Sequence, residues 1–291
     1  MSIENCGRTL PFDEAPERVV TLWQSATEMM LALGLGDRIV ATAGDYAAYP
    51  ESIADEATAL NSIGSAMGWP SKEVVLSEDP DLVIGQSLEG FAFDPSYGYA
   101  TADELEDAGI DLYGVNMCVP EDSLSMTIDT SSQSIADLGA IFGVEDRADT
   151  LIAKLTEEKQ AVIDAVAGLD TPSVAYYQGG EGPIHVLAGG IYDSAIETAG
   201  GVNAFPTEAD VSREDFAAAD ADVILVATFE GQDFATRKAY LEATFPELTA
   251  VQNGRLYELP VADTDASISV MRGLTEIANA IHGLDLEVPA S

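Results

Sequence analysis

Short apolar segments alternate with helical patterns along most of the chain. Strands are predicted at residues 19–22, 39–42, 82–85, 111–115, 173–177, 223–228 and 255–259. Amphipathic helical patterns lie between them, as at 26–35, 71–78 and 102–108. This alternation is typical of α/β units built around largely parallel sheets, to which residues 8–12 would add an antiparallel edge strand. The predicted fold class is therefore α/β.

The first strand–helix unit has features that are typical of a ligand-binding edge. Ser25 stands at a predicted helix start, and Glu28 follows three residues later, which is the spacing of a capping box. Trp23 and Gln24 lie between the predicted strand and this helix. Open α/β sheets bind ligands just outside the carboxyl ends of their strands. We therefore expect this turn to contribute to a binding site.

One predicted helix is much longer than the others. Residues 145–169 contain no glycine or proline before Gly168, and their apolar residues recur at helical spacing. At about 1.5 Å per residue, the helix spans more than about 30 Å. It is interpreted as a stiff connector at 144–170, between an N-terminal lobe at 1–143 and a C-terminal lobe at 171–291. The alternative is one long surface helix in a single domain.

The charge balance is strongly acidic. The chain has 51 Asp and Glu residues against 12 Lys and Arg residues, so its net charge is −39. Such self-repulsion opposes a compact state at low ionic strength, whereas at about 1 M salt the Debye length is near 3 Å and the repulsion is screened. The composition favours a halophilic protein with an acidic surface over an ordinary acidic protein. Nucleic acid is a poor partner, because phosphate binding requires clustered Lys and Arg.

The chain lacks the sequence features of membrane insertion and of metal binding by cysteine. No apolar run reaches the roughly 18 residues of a membrane-spanning helix. The start has neither a basic n-region nor an apolar h-region, so a signal peptide is either removed or absent. The two cysteines, Cys6 and Cys118, match no zinc or iron–sulfur spacing. In an extracellular chain they can form one disulfide, and two unpaired thiols are the alternative.

The sequence also lacks the motifs of common enzyme classes. There is no Gly-x-Ser-x-Gly nucleophile elbow and no phosphate-binding loop ending in Gly-Lys-Ser or Gly-Lys-Thr. His185 and His282, the only histidines, lie far apart in the sequence, so no metal site of several His and carboxylate ligands is predicted. We therefore expect neither an enzyme nor a protein-bound metal ion. Direct binding of iron by tyrosine is the remaining alternative.

Several segments share their order and spacing with a known protein family. They lie at residues 6–20, 23–28, 70–75, 79–84, 197–203, 211–216 and 219–226. Together, across nearly the whole chain, they resemble the solute-binding proteins of ATP-driven (ABC) importers for ferric siderophores, haem and cobalamin. The resemblance implies two α/β lobes, each a mainly parallel sheet flanked by helices. One long rigid helix would join the lobes, with the ligand cleft between them.

The resemblance implies a function in uptake. The chain is expected to capture a ferric siderophore at the extracellular face of the membrane, as a secreted or lipid-anchored monomer, and to deliver it to a membrane permease. Cobalamin or another corrinoid is the alternative ligand, and an oxyanion such as molybdate ranks third. No cofactor is expected beyond iron or cobalt carried by the ligand. Two other classes are a two-lobed metal-cluster enzyme, which would need several cysteines or histidines between its lobes, and a surface sensor without a transporter.

The resemblance also identifies candidate site residues. Glu73 and Glu214 match the positions at which one acidic residue on each lobe docks with permease arginines, and two solvated helix glutamates are the alternative.

Residues after strand ends are predicted to line the cleft, namely Trp23, Gln24, Ser25, Asp45, Tyr46, Trp69, Ser87, Glu89, Tyr176, Tyr177, Gln178, Phe229 and Asp263. Their aromatic rings suit a bulky, partly apolar ligand, with core packing as the alternative for each ring. The aromatic loop 91–99 either covers the ligand or folds over its own lobe. The scarcity of arginine argues against a strongly anionic catecholate.

Overall fold

The chain divides into two compact units. The structure is a computed structural model that describes residues 1–65, 68–207, 209–229 and 233–290. Unit 1 contains Met1–Leu155 and Ala266–Ile268, and unit 2 contains Thr156–Asp265 and Ser269–Ala290. The boundary lies inside the helix that was predicted to be a connector. Residues 266–268, which fall in the predicted C-terminal lobe, belong to unit 1.

Unit 1 is built on a parallel sheet with helices around it. Its strands are β1 (Ser2–Asn5), β2 (Arg8–Pro11), β3 (Val19–Thr21), β4 (Ile39–Thr42), β5 (Leu82–Gly85) and β6 (Asp111–Gly114). Its helices are α1 (Gln24–Ala32), α2 (Ala54–Thr58), α3 (Lys72–Ser77), α4 (Ala102–Glu106), α5 (Thr130–Ile141) and the first part of α6 (Glu145–Val166). The sheet has the order β4-β3-β5-β6, with parallel pairing throughout. β1 and β2 form a separate antiparallel pair, so the prediction of residues 8–12 as an edge of the main sheet is wrong.

Unit 2 has a mixed sheet whose central strands are parallel. Its strands are β7 (Ser173–Gly179), β8 (Ile184–Val186), β9 (Val202–Asn203), β10 (Asp210–Val211), β11 (Val223–Thr228) and β12 (Leu256–Pro260). Its helices are α7 (Gly190–Thr198), α8 (Arg213–Ala219), α9 (Phe234–Thr244), α10 (Thr249–Gln252) and α11 (Val270–His282). β11 pairs in parallel with β7 and β12, β7 also pairs in parallel with β9, and β8 is antiparallel to both β7 and β10. In both units, crossover helices connect parallel strands, so the carboxyl ends of these strands lie at the same edge of the sheet.

Unbroken apolar sequence places the central strand of each sheet in the interior. Every residue of β5 and of β11 is buried. Because successive side chains point to opposite faces of a strand, burial of all of them means that both faces are covered. These strands coincide with the predicted segments at 82–85 and 223–228, which confirms the α/β fold class.

The long helix forms, but it is shorter than predicted. α6 ends at Val166, three residues before the predicted end, and Gly168 follows with a φ of +79° that breaks the helical path. Ala148, Leu155 and Val162 form its buried stripe. Among the described helices, none combines the length and apolar character needed to cross a membrane.

A disulfide ties the N-terminal strand pair to the main sheet of unit 1. Cys6 and Cys118 are bonded, with their Cα atoms 5.1 Å apart. Next to it, Asn5 Nδ2 donates to the Gly114 carbonyl at 3.0 Å, and Asn5 Oδ1 accepts from the Gly114 N–H at 2.8 Å. The cysteines are therefore paired, and the β1–β2 pair is fixed at the carboxyl end of β6.

Candidate functional site

Aromatic side chains meet at the carboxyl ends of β3, β4 and β5 in unit 1. The ring of Trp23 lies 5.3 Å from that of Tyr46, 5.3 Å from that of Phe91 and 5.7 Å from that of Trp69, between ring centroids. The two indoles are nearly parallel, with 12° between their planes. Tyr99 meets the edge of Trp69 at 5.8 Å. We call Trp23, Tyr46, Trp69, Phe91 and Tyr99 the aromatic cluster.

A backbone hydrogen bond and a glycine hold Trp69 in this cluster. The indole Nε1 donates to the Leu22 carbonyl at 2.8 Å, immediately after β3. Gly44 has a φ of +77°, and a Cβ there would lie 2.9 Å from Trp69 Nε1 and 3.0 Å from the Leu22 oxygen. Any larger residue would therefore push the indole away while adopting an unfavourable backbone conformation.

The aromatic loop at 91–99 folds over unit 1. Phe91 contacts Trp23 and Trp69, and Tyr97 stacks on Tyr99 with 5.9 Å between ring centroids. Tyr97 is nevertheless 74% exposed. These contacts show that the loop packs on rings of its own unit, and its coverage of a ligand stays a prediction.

Gln24 and Ser25 are buried behind the aromatic cluster. Gln24 Oε1 accepts hydrogen bonds from the Tyr46 and Ala47 N–H groups, and its Nε2 donates to Glu28. The Ser25 hydroxyl is buried with no hydrogen-bond partner among the described residues. The predicted capping box is wrong, because the N-cap of α1 is Trp23, two residues before Ser25, and it makes no side-chain capping hydrogen bond.

Asp45 ends a chain of buried hydroxyl groups below the cluster. Its carboxylate accepts from Thr42 Oγ1 at 3.0 Å and from the Tyr49 hydroxyl. Thr42 lies 3.4 Å from the hydroxyl of Thr27, which in turn lies 2.8 Å from that of Thr21. Burial and the Asp45 carboxylate raise the pKa of Tyr49 above its ordinary value. Asp45 therefore has protein partners within the unit.

The segment after β5 carries one buried and one exposed candidate. Ser87 is buried, and its hydroxyl donates to the Glu89 carbonyl at 2.6 Å. The side chain of Glu89 is exposed. Sequence reasoning missed Gln86, which is buried at the same strand end and whose Oε1 has no hydrogen-bond partner among the described residues.

In unit 2, the candidate tyrosines lie within a strand. β7 continues to Gly179, two residues beyond the predicted end, so Tyr176, Tyr177 and Gln178 do not follow it. Both tyrosines are buried, and Tyr177 packs between Phe216 and Tyr240. The structure thus gives these two rings the core packing that was the alternative. Gln178 is half-buried.

An arginine that the sequence did not single out joins two strand ends in unit 2. Arg237 donates to the carbonyl groups of Gln178 and Ala227, at the ends of β7 and β11. Burial lowers the pKa of Arg237, and the nearby Tyr177 opposes this shift. Phe229 follows β11 directly and is half-buried. Arg237 comes from α9, distant in sequence from β7, and no local motif indicates its position.

The chain is similar to known proteins over most of its length. Residues 19–262 match the periplasmic binding protein family. The chain belongs to this family. Its members are substrate-binding proteins of ABC transporters and not enzymes, which confirms the resemblance inferred from the sequence and the expectation that this chain is not an enzyme.

Individual relatives of this periplasmic binding protein cover nearly all of it. A cobalamin-binding protein of Halobacterium salinarum is 26% identical over 94% of this chain and 71% of its own length. A solved structure from an ABC-type Fe³⁺-hydroxamate transport system of Saccharomonospora viridis is 26% identical, covers 97% of this chain and 99% of its own, and has a TM-score of 0.80. A periplasmic binding protein of Veillonella parvula superimposes with a TM-score of 0.85 at 24% identity, covering 98% of both chains, and shows the shared fold.

Asp263, the remaining ligand candidate of this periplasmic binding protein, belongs to a buried ion pair. It is 2% exposed in the turn Val261–Thr264 and accepts from Arg272 on α11. Burial raises the pKa of Asp263, and Arg272 opposes that rise. Gly273 allows α11 to approach the turn that carries Asp263, because a Cβ at position 273 would lie 1.9 Å from the Asp263 carbonyl oxygen. Glu276, one turn further along α11, has its pKa raised to about 7 by burial and by the charge of Asp263, against the effect of Arg272.

The docking candidates occupy equivalent local positions in the two units. Glu73 and Glu214 are exposed in the first turns of α3 and α8, and the N-cap residues of these helices are Ser71 and Ser212. The Ser71 hydroxyl donates to Glu73 at 2.8 Å. Backbone hydrogen bonding and this contact lower the pKa of Glu73. Among the described residues, no group of three or more His, Cys, Asp or Glu side chains is placed to hold a metal ion.

We predict that Gly44→Ala displaces Trp69 from the aromatic cluster. The added methyl group would occupy the space of the indole Nε1, so we expect a change in tryptophan emission and a loss of about 1–3 kcal/mol in the free energy of unfolding. The chain has only 2 tryptophans, both in the cluster, so the emission reports on it directly. Gly109→Ala is the matched control, since Gly109 has a φ of +86° but a methyl group added there would have nothing within 4 Å. Equal emission shifts in the two variants would contradict this role of Gly44.

We also predict a specific pH dependence for Glu276→Gln. The pKa of Glu276 rises from the ordinary 4.5 to about 7 on folding, so the folded state holds an extra proton between these pH values. The contribution of Glu276 to the free energy of unfolding should therefore fall as the pH rises from about 4.5 to 7. Denaturant unfolding across this range should show the variant gaining stability relative to the wild type over that window. Glu157→Gln, at an exposed position of α6, controls for the loss of one acidic group, and parallel profiles for the two variants would refute the assignment.

Proposed function

We propose that this chain binds a corrinoid such as cobalamin outside the cell membrane and delivers it to the permease of an ABC importer. The aromatic cluster carries this proposal. It gathers two stacked indoles and three further rings at the carboxyl ends of parallel strands, where open α/β sheets bind ligands. Aromatic faces suit a large, flat, largely apolar ring system. The name of the Halobacterium salinarum relative supports the same ligand class.

Polar groups beside the cluster support a ligand with hydrogen-bonding groups at its rim. Ser25 Oγ lies in the first turn of α1 and Gln86 Oε1 lies directly after β5, and both are buried with no hydrogen-bond partner among the described residues. Buried polar atoms are normally paired, so a ligand whose binding opens this edge would supply the missing partners. The amide side chains around a corrin ring have this chemistry. Iron or cobalt would enter with the ligand, and no resident cofactor is proposed.

A ferric hydroxamate siderophore is the second candidate. The Saccharomonospora viridis structure, from a Fe³⁺-hydroxamate transport system, favours it at 26% identity and a TM-score of 0.80. The sequence alone ranked this ligand first. A hydroxamate chelate is compact and polar, and it would use fewer of the ring faces than a corrinoid. The two candidates therefore differ in how much they should depend on Trp69.

We further propose that Glu73 and Glu214 dock with arginines of the permease. A carboxylate and a guanidinium can form two parallel hydrogen bonds, which fix geometry as well as binding. High salt screens the attraction between exposed charges that are far apart. In a halophile, only direct contacts between carboxylate and guanidinium groups would therefore contribute to docking. The halophilic character remains a prediction from the net charge of −39.

We predict that cyanocobalamin binds to the protein in molar KCl and that Trp69→Ala weakens this binding at least about tenfold, or ~1.4 kcal/mol. Isothermal titration calorimetry measures the affinity without interference from the absorbance of the ligand. Trp69→Phe retains an aromatic ring and should lose less affinity for cyanocobalamin than Trp69→Ala. A ferric trihydroxamate titrated in parallel should bind much more weakly than cyanocobalamin. The reverse order would support the second candidate, and no heat with either ligand would overturn the proposal.

We predict that Glu73→Lys and Glu214→Lys each lower importer-dependent uptake at least about tenfold while leaving ligand affinity unchanged. Reversal of either charge would place like charges together at the permease contact. Glu157→Lys changes the net charge equally at another exposed helical position and should transport normally. Uptake by the double variant equal to that of Glu157→Lys would exclude these residues from docking.

A further inference from the structure

Helix α1 carries a carboxylate in its buried interior. Glu28 is only 2% exposed, and the helix residues around it, from Gln24 to Leu31, are also buried. A carboxylate removed from water is costly unless hydrogen bonds compensate it. Gln24 Nε2 donates to Glu28 Oε1 at 3.0 Å, one helical turn away. The two side chains therefore act as one buried polar pair.

The other end of the Gln24 amide holds the segment after β4. Gln24 Oε1 accepts from the Tyr46 N–H at 3.0 Å and from the Ala47 N–H at 2.9 Å. Residues 43–50 have neither helix nor strand to satisfy their backbone groups. Buried backbone N–H groups require a partner, and this side chain supplies it for both. The Gln24 side chain thus accepts the hydrogen bonds that a neighbouring strand or a helical turn would otherwise accept from these N–H groups.

Hydrogen bonds at both ends fix which way the Gln24 amide faces. The Tyr46 and Ala47 N–H groups can only donate, so the carbonyl end of the amide faces them. The NH₂ end then donates to the Glu28 carboxyl group. Tyr46, held in this way, packs 5.3 Å from Trp23 in the aromatic cluster.

We propose that Gln24, hydrogen-bonded to Glu28, is a positioning residue that places Tyr46 in the aromatic cluster. This replaces the sequence-based prediction that Gln24 contacts the ligand. Gln24 is 1% exposed, and its carbonyl oxygen already accepts two hydrogen bonds. The effect on ligand affinity rests on the proposed function, whereas the placement of residues 45–47 does not.

The first test is amide hydrogen exchange in the ligand-free protein, resolved by NMR. Gln24→Met keeps the shape of the side chain but removes its hydrogen bonds. Exchange of the Tyr46 and Ala47 amides should accelerate at least tenfold. The Ala43 amide donates to the Thr21 carbonyl at 2.8 Å and should keep its protection, which makes it an internal control. Unchanged exchange at Tyr46 and Ala47 would overturn the proposal.

The second test exchanges the two side chains. Gln24→Glu alone places two carboxylates together, so cyanocobalamin affinity should fall at least tenfold and tryptophan emission should change. In the double variant Gln24→Glu/Glu28→Gln, the carboxylate can accept from both backbone N–H groups and from the new amide. Affinity and emission should recover to within about twofold of the wild type. A double variant no better than Gln24→Glu would refute the proposal.

These two tests separate the inference from the proposed function. If the wild type binds no corrinoid, the proposed ligand fails, while hydrogen exchange and emission still report on Tyr46. If the wild type binds but Gln24→Met and Gln24→Glu bind equally well with unchanged exchange, the positioning role fails and the ligand assignment stands. Should Gln24→Glu not fold, recovery of folding in the double variant supports the pair, and failure of both contradicts it.

Discussion

The candidate site of unit 1 depends on the parallel register of β3 with its two neighbours. Thr21 lies opposite Thr42 of β4 and opposite Ile84 of β5, so all three strands end at the same edge. The chain leaves that edge three times. The first exit carries Trp23, and the other two bring Tyr46 and Phe91 to it. Residues far apart in sequence thereby reach contact distance without any local motif that joins them. A shift of this register would separate the rings even if every local element formed.

The rings lie beside both an apolar core and a polar network. Trp69 packs against the buried apolar cluster of unit 1, which includes Leu22 and Ala43. In the same region, hydroxyl groups of three threonines lead to Asp45, and Gln24 connects Glu28 to the backbone of the next segment. Hydrogen bonds are directional, so a satisfied buried network fixes side-chain positions more narrowly than apolar contacts do. Such a network can hold large rings in defined orientations. Trp23 and Tyr46 are 7% and 6% exposed, whereas Phe91 is 36% exposed. The same network makes this edge sensitive to small changes, since a buried polar atom that loses its partner is costly.

The sequence predicts the strands better than it predicts the side-chain roles. β4, β5 and β11 coincide with the predicted segments, because apolar strand sequences between helices are a local signal. The docking roles of Glu73 and Glu214, which the family resemblance implies, stay predictions. By contrast, three features depend on contacts between distant segments. They are the start of α1, the burial of Tyr177 within β7 and the pairing of Asp263 with Arg272. Polar residues after strand ends look alike in sequence whether they face a ligand or a buried protein partner, so the protein partners of Gln24 and Asp263 could not be predicted.

The two docking candidates stand out by their surroundings, since acidic residues as such are abundant in this chain. Each follows a basic residue that has another partner: Lys72 lies 3.3 Å from Glu104, and the Arg213 guanidinium lies over the Phe245 ring at 5.8 Å. Neighbouring residues in a helix do not face each other, so neither cation pairs directly with the adjacent glutamate, although the charge of Lys72 helps to lower the pKa of Glu73. The helix dipole favours a carboxylate in the first turn, and both carboxylates are exposed there. At each position, the basic residue that precedes the glutamate already contacts another side chain. An arginine from another protein would therefore meet an exposed carboxylate in unit 1 at Glu73 and in unit 2 at Glu214.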